Sequence, residues 1–184
     1  VRDRVTTCIV PGCTTPVSEG GFTESETIDG VTTYHVATAA QLAHVASHMR
    51  LHFLQTADID LDAYNDGLWT PLGGYGDPES GPGHFAGVYL GGDHTINHLV
   101  LLHDSSASYS IYGGLFASVR GEGSAVRNLT VNVKLIEIAS GSGCSCGAVA
   151  GELSGGTISG CTVNYSGIVD ISGTPNGNLG GVVG

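Results

Sequence analysis

Gly114-Leu115-Phe116-Ala117, Gly147-Ala148-Val149-Ala150 and Gly181-Val182-Val183-Gly184 are three versions of one short phrase, set 33 and 34 residues apart. Between them Asn128-Leu129-Thr130-Val131-Asn132 aligns with Gly160-Cys161-Thr162-Val163-Asn164, and Glu137-Ile138 with Asp170-Ile171. A period of this length marks stacked supersecondary units, each of which buries its apolar face only against the next. The texture inside the units decides what they are. Leu129, Val131 and Val133 alternate with Thr130 and Asn132, and Cys161 and Val163 with Thr162 and Asn164. That is the period of two of a strand. Gly and Ser fill the intervals, with no run of helix formers. The fold class is all-β: strand and turn wound into a parallel β-solenoid (β-helix), with Leu, Val, Ile and Cys stacked inside. In this register Thr130 lies over Thr162 and Asn132 over Asn164, about 4.8 Å apart. Asparagines stacked in this way hydrogen-bond along the axis.

Composition bounds the rest. A chain of 184 residues is one domain's worth, with enough length for a real core. Charged residues make up 12%, against roughly 25% in typical domains, and the 30 glycines are more than twice the usual share of about 7%. The net charge is −11 and Lys134 is the single lysine. Nucleic acid is therefore a poor partner, and an anionic membrane surface would repel the chain. No apolar stretch approaches the ~20 residues needed to span a bilayer. The first residue is Val1 and nothing resembles a signal peptide, so a processed or excised chain is expected.

Five cysteines is an odd number. Cys8 and Cys13 enclose the turn Ile9-Val10-Pro11-Gly12, which a short disulfide would pin. Cys144 or Cys146 is placed to bridge Cys161 half a repeat later. Disulfides at these positions would put the protein in an oxidising compartment. Zinc at Cys144, Cys146 and Cys161 lacks a fourth ligand and a paired C-x-x-C spacing.

Residues 1–30 read as an N-terminal arm or an added edge strand, and residues 31–184 as the solenoid, with repeats of about 33 residues from 113. Thr33–Val36 reads as a strand. Thr38-Ala39-Ala40-Gln41 has the form of a capping box, and Leu42, Val45, Ala46 and Met49 follow at helical spacing. This predicts one short N-terminal capping helix over about 39–50, covering the open end of the solenoid. His44, His48 and His52 follow at i, i+4 and i+8 and read as a solvent-facing polar stripe, since no Glu lies between the first two as in the zinc protease motif. Asp58, Asp60, Asp62 and Asp66 are dense enough in carboxylate to be a calcium candidate, without EF-hand spacing. Residues 74–83 read as a Gly/Pro-rich surface loop and His103–Tyr112 as a polar loop.

The ordered set Tyr34-His35-Val36 with Gln41-Leu42, Ala57-Asp58-Ile59-Asp60-Leu61, Trp69-Thr70-Pro71-Leu72-Gly73, Phe85-Ala86-Gly87, His94-Thr95-Ile96 and Gly114-Leu115-Phe116 resembles the bacterial GLUG-motif family of surface proteins. The resemblance covers roughly residues 31–184. It implies a right-handed β-solenoid with a capping helix, secreted or displayed on the cell surface, in adhesin-like proteins. The chain departs from the pattern at Leu90-Gly91, where the turn before His94 usually carries Asp-Gly, and at Ala117, Ala148 and Val182 within the phrase itself.

These readings lead to an expected function without catalysis, as an extracellular structural or adhesive module. Self-association head to tail is expected through Gly181, Val182, Val183 and Gly184, or stacking onto further repeats of the parent protein, with a surface glycan or protein receptor as a further partner. The alternative is a carbohydrate-active β-helix enzyme of the polysaccharide lyase or glycosidase type, or a glycan-binding module. For an enzyme, Glu137 and Asp170 align one repeat apart, but repetition alone explains the pair. No cofactor is expected beyond the calcium candidate.

Overall fold

The computed structural model describes residues 5–73, 83–105, 110–140, 142–171 and 176–184. The chain is a parallel β-solenoid of about 3 turns. One face is a six-stranded sheet of β1 (Ser25–Ile28), β2 (Val31–Val36), β3 (His52–Gln55), β5 (Val88–Leu90), β9 (Ala125–Arg127) and β13 (Thr157–Ser159), in that order. The second face holds β4 (Ile59–Asp60), β6 (Thr95–Ser105), β10 (Thr130–Ser140) and β14 (Thr162–Asp170). The third holds β7 (Ser110–Gly113), β11 (Gly143–Cys146) and β15 (Gly177–Leu179), and the fourth β8 (Phe116–Arg120) and β12 (Ala150–Ser154). Every pairing between these strands is parallel except the hairpin of β1 on β2.

The register follows the sequence pattern: Thr130 pairs with Thr162, Asn132 with Asn164 and Glu137 with Asp170. The asparagine ladder runs one coil further than its repeat suggests. Asn164 donates to Asn132 Oδ1 at 2.8 Å, and Asn132 to Asn97 Oδ1 at 2.7 Å. The earlier coil hides this because β6 carries an extra residue between Ile96 and Leu99, where β10 has only Asn132 between Val131 and Val133. His98 takes up the excess with a left-handed φ of 60°, a bulge that bends the strand.

Inside, the pairs stack Tyr34 on Phe53, Phe53 on Tyr89, Tyr89 on Val126 and Val126 on Ile158. A column of aromatic rings crosses the coils from Phe22 to Phe53 (5.3 Å), Phe85 (6.4 Å) and Phe116 (4.8 Å). All four are fully buried. The side chain of Gln55, the main polar intrusion, is satisfied: it donates to Ala57 O and Thr95 O and accepts from the Tyr89 hydroxyl at 3.0 Å. The repeated phrase forms the corner between the third and fourth faces. There main-chain bonds link Leu72 N to Leu115 O, Leu115 N to Ala148 O and Ala148 N to Gly181 O. The corner tolerates no side chain at Gly147, where a Cβ would lie 2.6 Å from Val183 Cα.

Three sequence expectations are corrected. The helix α1 spans only Ala39–His44 and tightens into a 3-10 turn at Val45–Ser47, because the chain must swing back into β3 at His52. The cap is as read at Thr38, which accepts from Gln41 N at 3.2 Å, but Gln41 reaches back to Ala37 N at 2.9 Å rather than to Thr38. The stretch His103–Tyr112 is not a loop throughout: β6 runs to Ser105 and β7 resumes at Ser110, with Ile111 fully buried. The surface loop at 74–83 lies almost wholly outside the described residues.

Truncating the aromatic column tests the packing directly. Phe116→Ala removes a buried ring that touches both Phe85 and Tyr89, and a loss of about 3–5 kcal/mol in urea unfolding is expected.

Candidate metal centre

Residues 5–24 form a lid on the first coil. Thr7 bridges Pro16 in antiparallel fashion, Cys8 N donates to Thr15 O at 2.8 Å, and Cys13 N donates to Val10 O at 3.0 Å. The result is a tight knuckle turning at Gly12, whose φ is 82°. Phe22 carries the lid into the core and packs against the rings of Tyr34, His44, His48 and Phe53. The lid lies close on α1. A Cβ at Gly20 would sit 2.3 Å from Ala40 O, and Gly20 has a φ of 99°, so only glycine fits there.

Under this lid the knuckle meets the helix end. Cys8, Cys13, His44 and His48 have donor atoms all within 4.8 Å of one another. Cys13 Sγ lies 3.3 Å from His44 Nε2, and the two imidazoles pack edge to face with centroids 4.9 Å apart. Cys8 is buried and the other three are half-buried. His48 Nε2 is buried without a hydrogen-bond partner.

The environment splits the two thiols. Burial pushes the Cys8 thiol up, and its hydrogen bond to Cys13 adds to this. Burial acts the same way on Cys13, but hydrogen bonds from Cys8 and Thr15 outweigh it and hold Cys13 below the ordinary thiol range, toward the thiolate that ligates metals. Burial lowers both histidines, and His48 lowers His44 further. Neutral imidazole is the form that ligates.

The sequence reading missed this site. It read Cys8 and Cys13 as candidates for a short disulfide, whereas the structure holds all five cysteines as free thiols. It placed His44 and His48 on a solvent-facing stripe, whereas both rings turn in against Phe22. The missed signal was the joint spacing C-x4-C followed by H-x3-H. His52 stands apart on β3. Cys144 and Cys146 are buried on β11, while the half-buried Cys161 donates to Val126 O and Ser159 O at another corner, so the structure does not pair them.

The carboxylates are divided as well. Asp58 accepts from Thr95 N at 2.8 Å and contacts His94, and the Thr95 bond holds it below the usual carboxylate range. Asp60 and Asp62 meet His98 at the surface, and Lys134 Nζ lies 2.5 Å from Asp62. Asp66 sits in the 3-10 turn Asn65–Gly67, outside that cluster. Glu137 and Asp170 are adjacent and exposed.

Beside the lid, a cavity of about 400 Å³ is lined by residues that include Val10, His48, Arg50 and His84. Among the described residues, no helix is long and apolar enough to cross a membrane. Comparison with protein-family models, with curated proteins and with solved structures finds no match.

The lowered histidines set a pH dependence for the metal-free chain. The unfolded chain binds protons at His44 and His48 as pH falls through about 6.5, before the folded chain does. Stability is therefore full above that pH and lost below it. The melting temperature of chelator-treated protein is expected to fall between about pH 7 and pH 5, and His48→Asn to flatten that slope. An unchanged melting temperature across the window would contradict the burial of these rings.

Proposed function

We propose that the chain is a non-catalytic structural and adhesive β-solenoid module of the cell surface, closed at its first coil and built to stack at its last. The observation that carries this is the set of large apolar side chains left exposed on the last described coil, beside a first coil that is covered. The first coil is covered by α1 and the lid, with Phe22 and Leu42 fully buried. On the last coil, Ile168 is 68% exposed, Leu179 46% and Tyr165 39%. Around this mouth Tyr165, Val169, Leu179, Gly180 and Gly181 line a cavity of about 240 Å³. Val183 bridges Ala150, and Gly184 N donates to Ala150 O. The last four residues thus pair on the preceding coil, and we read this face as the one that takes a further coil. A free parallel edge beside exposed apolar side chains templates another strand. When the added unit is a second copy, the contact is heterologous and propagates into a filament.

The resemblance of the ordered motifs to GLUG-motif surface proteins supports the same reading. So does the surface chemistry: an acidic chain with few charges and one lysine suits neither nucleic acid nor anionic lipid.

Light scattering on a sizing column over a hundredfold range of concentration, with negative-stain microscopy of the same fractions, tests the proposal. Growth of mass with concentration into uniform fibres is expected, and Ile168→Asp in the exposed mouth is expected to suppress it. A monodisperse monomer at every concentration would overturn head-to-tail stacking of copies.

A further inference from the structure

The geometry points to a structural zinc site in which Cys8, Cys13, His44 and His48 ligate one Zn2+ and lock the lid onto the solenoid. Ligand type is the first ground. Two thiolates and two imidazoles form a tetrahedral S2N2 set, which selects zinc over the hard cations that take oxygen. The spacings C-x4-C and H-x3-H fall within those of structural zinc sites.

Distance is the second. Tetrahedral zinc with ordinary Zn–S and Zn–N bonds separates sulfur from nitrogen by roughly 3.6 Å. Cys13 Sγ and His44 Nε2 stand 3.3 Å apart, and the whole donor set spans no more than 4.8 Å. The third is the buried, unpartnered His48 Nε2, an arrangement that costs free energy unless something fills it. A metal ion there supplies the partner.

Charge balance agrees. Zn2+ with two thiolates and two neutral imidazoles is net neutral, so the half-buried site holds no uncompensated charge. Binding releases the thiol protons and changes no oxidation state. Four protein ligands leave no open position, which makes the site a clamp. The clamp ties the knuckle at Cys8–Cys13 to the end of α1, 31 residues away between Cys13 and His44, across β1 and β2. The same two cysteines joined as a disulfide would close only their own turn and leave the lid untied to the helix.

The test uses the full chain, isolated under reducing conditions and stripped of metal, then titrated with Zn2+ and separately with Co2+. Expected are one metal per chain and, for Co2+, the visible bands of a tetrahedral site with thiolate charge transfer. A rise of several degrees in melting temperature with Zn2+ is also expected. Cys13→Ser and His48→Asn are expected to abolish stoichiometric binding, while Cys161→Ser and Asp62→Asn leave it intact. If the ligand variants do not fold, chelator is added to zinc-loaded wild type, and an unchanged melting temperature overturns the site. So would a Co2+ spectrum without thiolate charge transfer, binding that survives Cys13→Ser, or a Cys8–Cys13 disulfide found by alkylation mass spectrometry after anaerobic isolation.

Discussion

The hydrogen-bond ladders of this chain run along the solenoid axis, so each strand is satisfied by the strands above and below it. Thr162 N bonds to Leu129 O, and Thr130 N to His94 O one coil earlier. Nothing in a coil repays the ordering of that coil until a neighbour is in place. Two consequences shape the molecule. The side chains must stack in register, and each end must be dealt with separately. The interior meets the first demand with rows such as Phe53–Tyr89–Val126. The lid and α1 meet the second at the start, and among the described residues β14 and β15 are each paired on one side.

The lid and the core form one structure because Phe22 belongs to both. Its ring touches the two histidines on one side and Phe53 on the other. Anything that orders the knuckle therefore also positions the first ring of the column reaching Phe116. Aromatic pairs at these separations add to their area of burial, so a disordered lid would expose more than its own short chain.

Much of this was legible in the sequence where repetition was tight. From Gly113 onward the phrase recurs at 33 and 34 residues, and the pairs Thr130–Thr162, Asn132–Asn164 and Glu137–Asp170 could be read directly. The earlier coil was harder because the His98 bulge shifts the register, and this concealed Asn97 as the third member of the ladder. The metal cluster was least visible. Its ligands come from two segments separated by a hairpin, and only the folding of 5–24 back over α1 brings them together. Amphipathic spacing placed Leu42, Val45 and Met49 inward correctly but put Ala46, which is exposed, on the same face, and it gave no sign that the lid would also cover His44 and His48. The helix ended early for a tertiary reason, the return into β3, which local propensity does not carry.

Amide hydrogen exchange along the chain, at a concentration where it is monomeric, tests the dependence of each coil on its neighbours most directly. The slowest exchange is predicted in β10, which is paired on both sides by β6 and β14, and the fastest in β14 and β15, which are paired on one. Protection in β14 and β15 equal to that of β10 would show that coils are stable without a partner above them, and would contradict the stacking on which the rest depends.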